Sequence, residues 1–260
     1  MTDRIYGQLL YAFLFAVILS QAVFAAFPGI DLAVSGLFAN GSAGFPWANG
    51  PAVVINLLLR SLAELLIVGL VLWCLYGGLT GLLQGSDLRA WGFAAISVML
   101  ASGGIVNLVL KAHVGRARPG QVSDFGGEAQ FTPAWQVTDQ CVRNCSFSSG
   151  EVSLSASLAF AALVLLWPRL RTPWARILAG LMATLYIGVV AMLRIGLGRH
   201  FLSDAVFSVL VSAAVALVLY PALRIAQARL AFDPMLPFMI GQRWYRHGRL
   251  RARDLVKGTT

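Results

Sequence analysis

Six long apolar runs constrain this chain more than any motif in it. Uncharged stretches occupy positions 5–30, 90–110, 152–168, 177–193 and 205–223, and a sixth, 61–86, carries one charge, Glu64. A helix needs about 20 mostly apolar residues to cross the hydrocarbon core of a bilayer. These runs predict six transmembrane helices with trimmed ends, an all-α integral membrane protein. Composition agrees: 12% of residues are charged, against about 25% in soluble domains. The first run exceeds the roughly 7–15 residues of a signal-peptide core and no clean A-x-A site follows it. It is therefore read as a retained span.

An even number of spans puts both termini on one side. That side then carries 13 of the 20 Lys and Arg residues. Arg60 sits at the edge of the second span, and Lys111, Arg116, Arg118, Arg143, Arg194 and Arg199 fall on the opposite side. The positive-inside rule makes the richer side cytoplasmic. In a bacterial inner membrane the other face is then periplasmic. The net charge of +9 follows from this bias and from the tail "QRWYRHGRLRARDLVK", which suits anionic headgroups rather than nucleic acid. The expected organisation is a six-span membrane domain over 1–226 and a basic cytoplasmic tail over 227–260. No internal repeat interrupts it.

Polar residues collect at three places, all on the charge-poor face. "KAHVGRARP" brings Lys111, Arg116 and Arg118 together within eight residues. Arginine forks suit phosphate oxygens and lysine adds a compact charge; interfacial anchoring by snorkelling is the plainer use of the same residues. "SFSSGE" opens the fourth span. Helix N-termini attract anions through free N–H groups and the dipole, and Gly150 allows close backbone approach. Ser148-x-x-Glu151 also fits a capping box, in which the carboxylate merely returns to the cap. "RIGLGRHFLSD" places Asp204 four residues after His200, on one face if the helix already runs there. A carboxylate beside imidazole fixes its tautomer and prepares a histidine nucleophile or base; a helix-end ion pair is the alternative. Glu64 and Arg60, also four apart, are read as partners of each other, with no chemistry assigned.

Cations, an anion-binding helix start and a His–Asp pair on one face suit a phosphomonoester at the membrane surface. No P-loop is present and no carboxylate cluster suggests magnesium, so the reading needs no metal and no cofactor. Cys141 and Cys145 frame "CVRNC" in the longest outer segment; a periplasmic location permits a disulfide staple there. Cys74 is read as an inert apolar residue within a span.

At these residues the chain resembles the type 2 phosphatidic acid phosphatase family, whose motifs run K-x6-R-P, P-S-G-H and S-R-x5-H-x3-D. Lys111 through Arg118-Pro119 matches the first with its spacing intact. Arg194, His200 and Asp204 match the third, with Leu193 in place of the serine. The second departs: Ser148-Ser149-Gly150-Glu151 stands where P-S-G-H is expected. "NCSFSSGE" with "GRARP" resembles the lipid A 4'-phosphatase branch. The resemblance implies that His200 attacks phosphorus, Asp204 orients it, and Lys111, Arg118 and Arg194 bind the phosphoryl oxygens with help from Ser149 and Gly150. Glu151 replaces the histidine that the family implies as proton donor to the leaving oxygen; His113 is a second candidate acid. The implied substrate is a phosphorylated membrane lipid, lipid A or similar. Isoprenyl diphosphates, phosphatidate-like lipids, a lipid phosphotransferase and a non-catalytic lipid-binding protein are the competing readings.

Overall fold

The computed structural model describes residues 3–134 and 136–239. Among them, six helices are long and apolar enough to cross a membrane. In chain order the helices are α1 (Asp3–Ala26), a short α2 (Gly29–Gly36), α3 (Pro51–Leu79), α4 (Gly85–His113), α5 (Gly150–Leu166), α6 (Pro173–Gly196), α7 (Leu202–Ala222) and a short α8 (Ile225–Ala231). The protein is an all-α, multi-pass membrane protein.

The second span starts ten residues before the uncharged run. Arg60 lies inside it, its guanidinium paired with Glu64 one turn on, at 2.8 Å. At the other end the chain leaves the helix after Leu79. Gly81 and Gly85 take positive φ there, which only glycine adopts cheaply, so the turn to α4 falls inside the apolar run.

The helices divide by burial. The most apolar windows of α4, α5 and α7 are 44%, 50% and 39% buried, against 6–11% for α1, α3 and α6. Three helices thus form the interior and three face outward. In lipid, apolar area alone does not hold helices together, so small and hydroxyl-bearing residues pack the seams. Ser153 on α5 and Ser212 on α7 share a 2.9 Å hydrogen bond, and Ser212 also donates to the Ser208 carbonyl. At the far end of the bundle from the motif residues, Phe93, Ala161, Leu165 and Tyr220 close a core that Ile225, Ala228 and Phe232 complete. Packing therefore continues past residue 226, while 240–260 of the expected tail lie outside the described residues.

Within α4, Met99–Leu110 widens into a π-helix before a last α-turn, Lys111–His113. The Ser102 hydroxyl donates to the Gly150 carbonyl at 2.9 Å, tying this segment to the start of α5. Cys141 and Cys145 form a disulfide with Cα atoms 5.6 Å apart, and Cys74 is a free thiol.

Candidate active site

The C-terminal ends of α4 and α6 and the N-terminal ends of α5 and α7 meet at one end of the bundle, with the loop between α6 and α7 among them. His200 lies in that loop, two residues before α7, and is 1% exposed. Its Nδ1 is 2.7 Å from the Ser146 carbonyl oxygen. A carbonyl can only accept, so Nδ1 carries the proton and Nε2 carries the lone pair. Nε2 is buried and has no hydrogen-bond partner among the described residues. Burial drives the ring from its ordinary pKa down to about 3; Arg194 and Lys111 add to the drop and Asp204 opposes it. The imidazole is therefore neutral at physiological pH, with one unoccupied nucleophilic nitrogen.

Because α7 begins at Leu202, His200 and Asp204 do not share a helical face as the i, i+4 spacing suggested. The turn nevertheless leaves Nδ1 3.7 Å from Asp204 Oδ2. The Ser146 carbonyl is the direct partner of the ring, and the carboxylate lies just behind it. Asp204 Oδ2 accepts from the Ser146 hydroxyl at 2.5 Å and the Phe201 N–H at 2.8 Å. Its Oδ1 meets the Arg116 guanidinium at 2.6 Å. Ser146 thus holds ring and carboxylate at once, through backbone and side chain.

Arg116 is fully buried. It donates to the Thr132 carbonyl, the Ser203 hydroxyl, Asp204 and Asp31, and its guanidinium lies 4.4 Å over the Phe201 ring. Asp31 comes from α2 and also accepts from the Ser203 N–H and hydroxyl. The segment between the first two spans thereby reaches under the site. It also covers it: a Cβ on Gly198, where φ is +63°, would stand 2.4 Å from Phe45. Sequence reading counted Arg116 among phosphate-binding cations and passed over Asp31, Ser146 and Ser203. The available signal was Asp31, a lone acid in the apolar loop "PGIDLAVSG" of a charge-poor chain.

The remaining cations surround the histidine. Lys111 and Arg194 both lie within electrostatic reach of His200 and of each other, and Arg118 within reach of Lys111, Arg194 and Asp204. Arg118 is half-buried, held by the Asn144 carbonyl at 2.7 Å. Burial, with Arg199 nearby, lowers its pKa from the ordinary arginine value. Arg194 Nε and the Ser148 hydroxyl are buried without protein partners, like His200 Nε2. Buried polar atoms are normally satisfied. Open polar atoms on Ser148 before α5, on Arg194 in the last turn of α6 and on His200 in the loop beyond it suit a polar ligand.

Ser149, not Ser148, caps α5, accepting from the Val152 N–H. Glu151 therefore does not close the expected capping box. Its carboxylate turns to Arg194, Oε1 to Nη1 at 3.0 Å, with Arg60 Nη1 3.6 Å from the same oxygen. Gly150 is packed against α4, where an added Cβ would stand 2.6 Å from Asn107 Oδ1. The first turn of α5 leaves N–H groups at Gly150 and Glu151 without intrahelical acceptors. His113 is exposed, its Nδ1 turned back to the Val109 carbonyl at 2.7 Å.

Residues 92–227 match the PAP2 superfamily. The chain belongs to the PAP2 superfamily. Among curated relatives it is similar to a lipid A 4'-phosphatase of Rhizobium leguminosarum, 33% identical over 71% of this chain and 83% of that one. One of Rhizobium etli is 34% identical over 70% and 75%. One of Francisella tularensis subsp. novicida is 36% identical, but the match covers 46% of this chain and only 51% of that protein. No solved structure matches it. By this kinship the protein is a membrane phosphatase.

Proposed function

We propose that this PAP2 protein removes a phosphomonoester, the 4'-phosphate of lipid A, at the periplasmic face of a bacterial inner membrane. The observation that carries the reading is the open Nε2 of His200, its tautomer set by the Ser146 carbonyl, with Lys111 and Arg194 within electrostatic reach of the ring and Arg118 within reach of both cations. The substrate follows from the relatives, three of which are named lipid A 4'-phosphatase. The periplasmic face follows from the lysine and arginine bias across the spans.

In the proposed reaction His200 Nε2 attacks phosphorus and the bond to the leaving sugar oxygen breaks. Nδ1 keeps its proton on the Ser146 carbonyl, so the phosphohistidine carries a positive charge that Asp204 stabilises. Lys111, Arg118 and Arg194, with the N–H groups at the start of α5, hold the phosphoryl oxygens as charge grows on them. Glu151 passes a proton to the leaving alkoxide, and its carboxylate takes one back from the water that cleaves the phosphoenzyme. Glu151 is better placed for this role than His113, because its contact with Arg194 sets it among the site's cations while the His113 ring is exposed and turns to its own helix.

The test is mass spectrometry of lipid A from a Gram-negative host expressing the chain or its His200→Ala variant. Loss of a single phosphate with the wild type alone supports the proposal. Unchanged lipid A, with the protein folded and inserted, would send the assignment to another phosphorylated lipid.

A further inference from the structure

Arg60 and Glu64 lie one turn apart on α3, paired at 2.8 Å, and each side chain is half exposed. Their neighbours on the outward side are apolar: Leu57, Leu62 and Leu65 are all exposed. Charged groups inside a membrane span are costly and rarely without use. An exposed i, i+4 pair adds little to helix stability, so mutual pairing does not explain why both are there.

The pair is continuous with the phosphoryl site. Arg60 reaches the Glu151 oxygen that Arg194 also holds. Asn107 of α4, exposed and lying against Gly150, adds an amide beside it. These three side chains lie beside Glu151 and the start of α5, next to the exposed leucines of α3.

Their chemistry selects among headgroups. A second phosphate is a poor fit, because Glu64 repels it and already neutralises Arg60. A net-neutral pair with an amide instead offers both donors and acceptors, which neutral hydroxyl and amide groups satisfy. We propose that Arg60, Glu64 and Asn107 form a headgroup subsite for the hydroxyl and amide groups of an N-acylated sugar that carries the scissile phosphate. This rests on the lipid A reading and adds the residues that would enforce it. A glycerol lipid phosphate presents no amide and gains little from these contacts.

The experiment compares kcat and KM of the full chain and of Arg60→Ala, Glu64→Gln and Asn107→Ala in mixed micelles. The substrates are lipid A and phosphatidic acid, with p-nitrophenyl phosphate as a headgroup-free comparator. Losing one charge-assisted or amide hydrogen bond should raise KM for lipid A about tenfold, with kcat within about twofold. Turnover of the two comparators by the Glu64→Gln and Asn107→Ala variants should stay unchanged, which also reports an intact fold. An equal loss on every substrate would make the residues structural, and no loss on any would make them idle; either result overturns the subsite. Wild-type protein that refuses lipid A while hydrolysing phosphatidic acid would sink the substrate reading and the subsite together. Lipid A turnover without the KM effect would sink the subsite alone.

Discussion

Replacing Arg116 with alanine should damage this protein more than removing any cation that faces the phosphate. The guanidinium is fully buried and serves four acceptors, two of them the carboxylates of Asp31 and Asp204. Removing it leaves two buried acids facing an empty space. Removing one partner of a buried ion pair costs about 3–5 kcal/mol. The two carboxylates share one guanidinium, so their losses do not simply add, and about 4 kcal/mol is a fair expectation. For a chain of this size each kcal/mol moves Tm by roughly 2–4 °C, which gives a drop of roughly 8–16 °C. Arg116→Lys keeps a charge but loses the fork, and should fall between. Thermal unfolding in detergent can be followed with a thiol-reactive dye, since Cys74 in α3 is a free thiol. Arg118→Ala is the control: that side chain is half-buried and, among the described residues, is held by the Asn144 carbonyl alone, so Tm should move by a few degrees at most. An Arg116→Ala protein melting within about 2 °C of wild type would refute the reasoning that this guanidinium holds the site together.

Glu151→Gln keeps the size of the side chain but cannot donate and retake a proton; kcat on lipid A should fall about 10²–10⁴-fold, and a loss under tenfold would reduce Glu151 to a holder of Arg194. Gly150→Ala forces a methyl group toward Asn107 and should lower kcat/KM for p-nitrophenyl phosphate by displacing the start of α5, with Asn107→Ala restoring part of the loss on that substrate if the clash is the cause. The buried His200 ring stays neutral down to about pH 3, whereas in the unfolded chain it titrates near 6.5. Between those values the unfolded chain binds the extra proton, so stability rises with pH across the window and is lost as pH falls through it. His200→Asn should flatten the dependence of Tm on pH over that range, and an unchanged slope would assign the acid loss to other groups.

Much of this protein is legible in its sequence for a simple reason: lipid forces each span to satisfy its own backbone, so apolar run length alone counts the helices. The second span shows where that logic slips. Counting charges stops at Arg60, but a charge neutralised one turn away by Glu64 stays in the helix. That Lys111, Arg118, Arg194, His200 and Asp204 gather at one end of the bundle was likewise readable, because their linear spacing is imposed by neighbouring helix ends.

What the sequence by itself determined is the membrane class, the six spans and the chemical types gathered at one end. Only the tertiary structure decided how those groups divide their work. Arg116 and Arg118 are two residues apart and chemically alike, yet one is buried between two acids and the other faces the site. Asp31 meets Asp204 through Arg116 across more than 170 positions of chain, a relation no local pattern encodes. Glu151 carries the i, i+3 spacing of a capping box, but Ser149 caps the helix and leaves the carboxylate free to meet Arg194. Spacing reports what is near along the chain, whereas tautomer, burial and ion pairing depend on what the fold brings near in space.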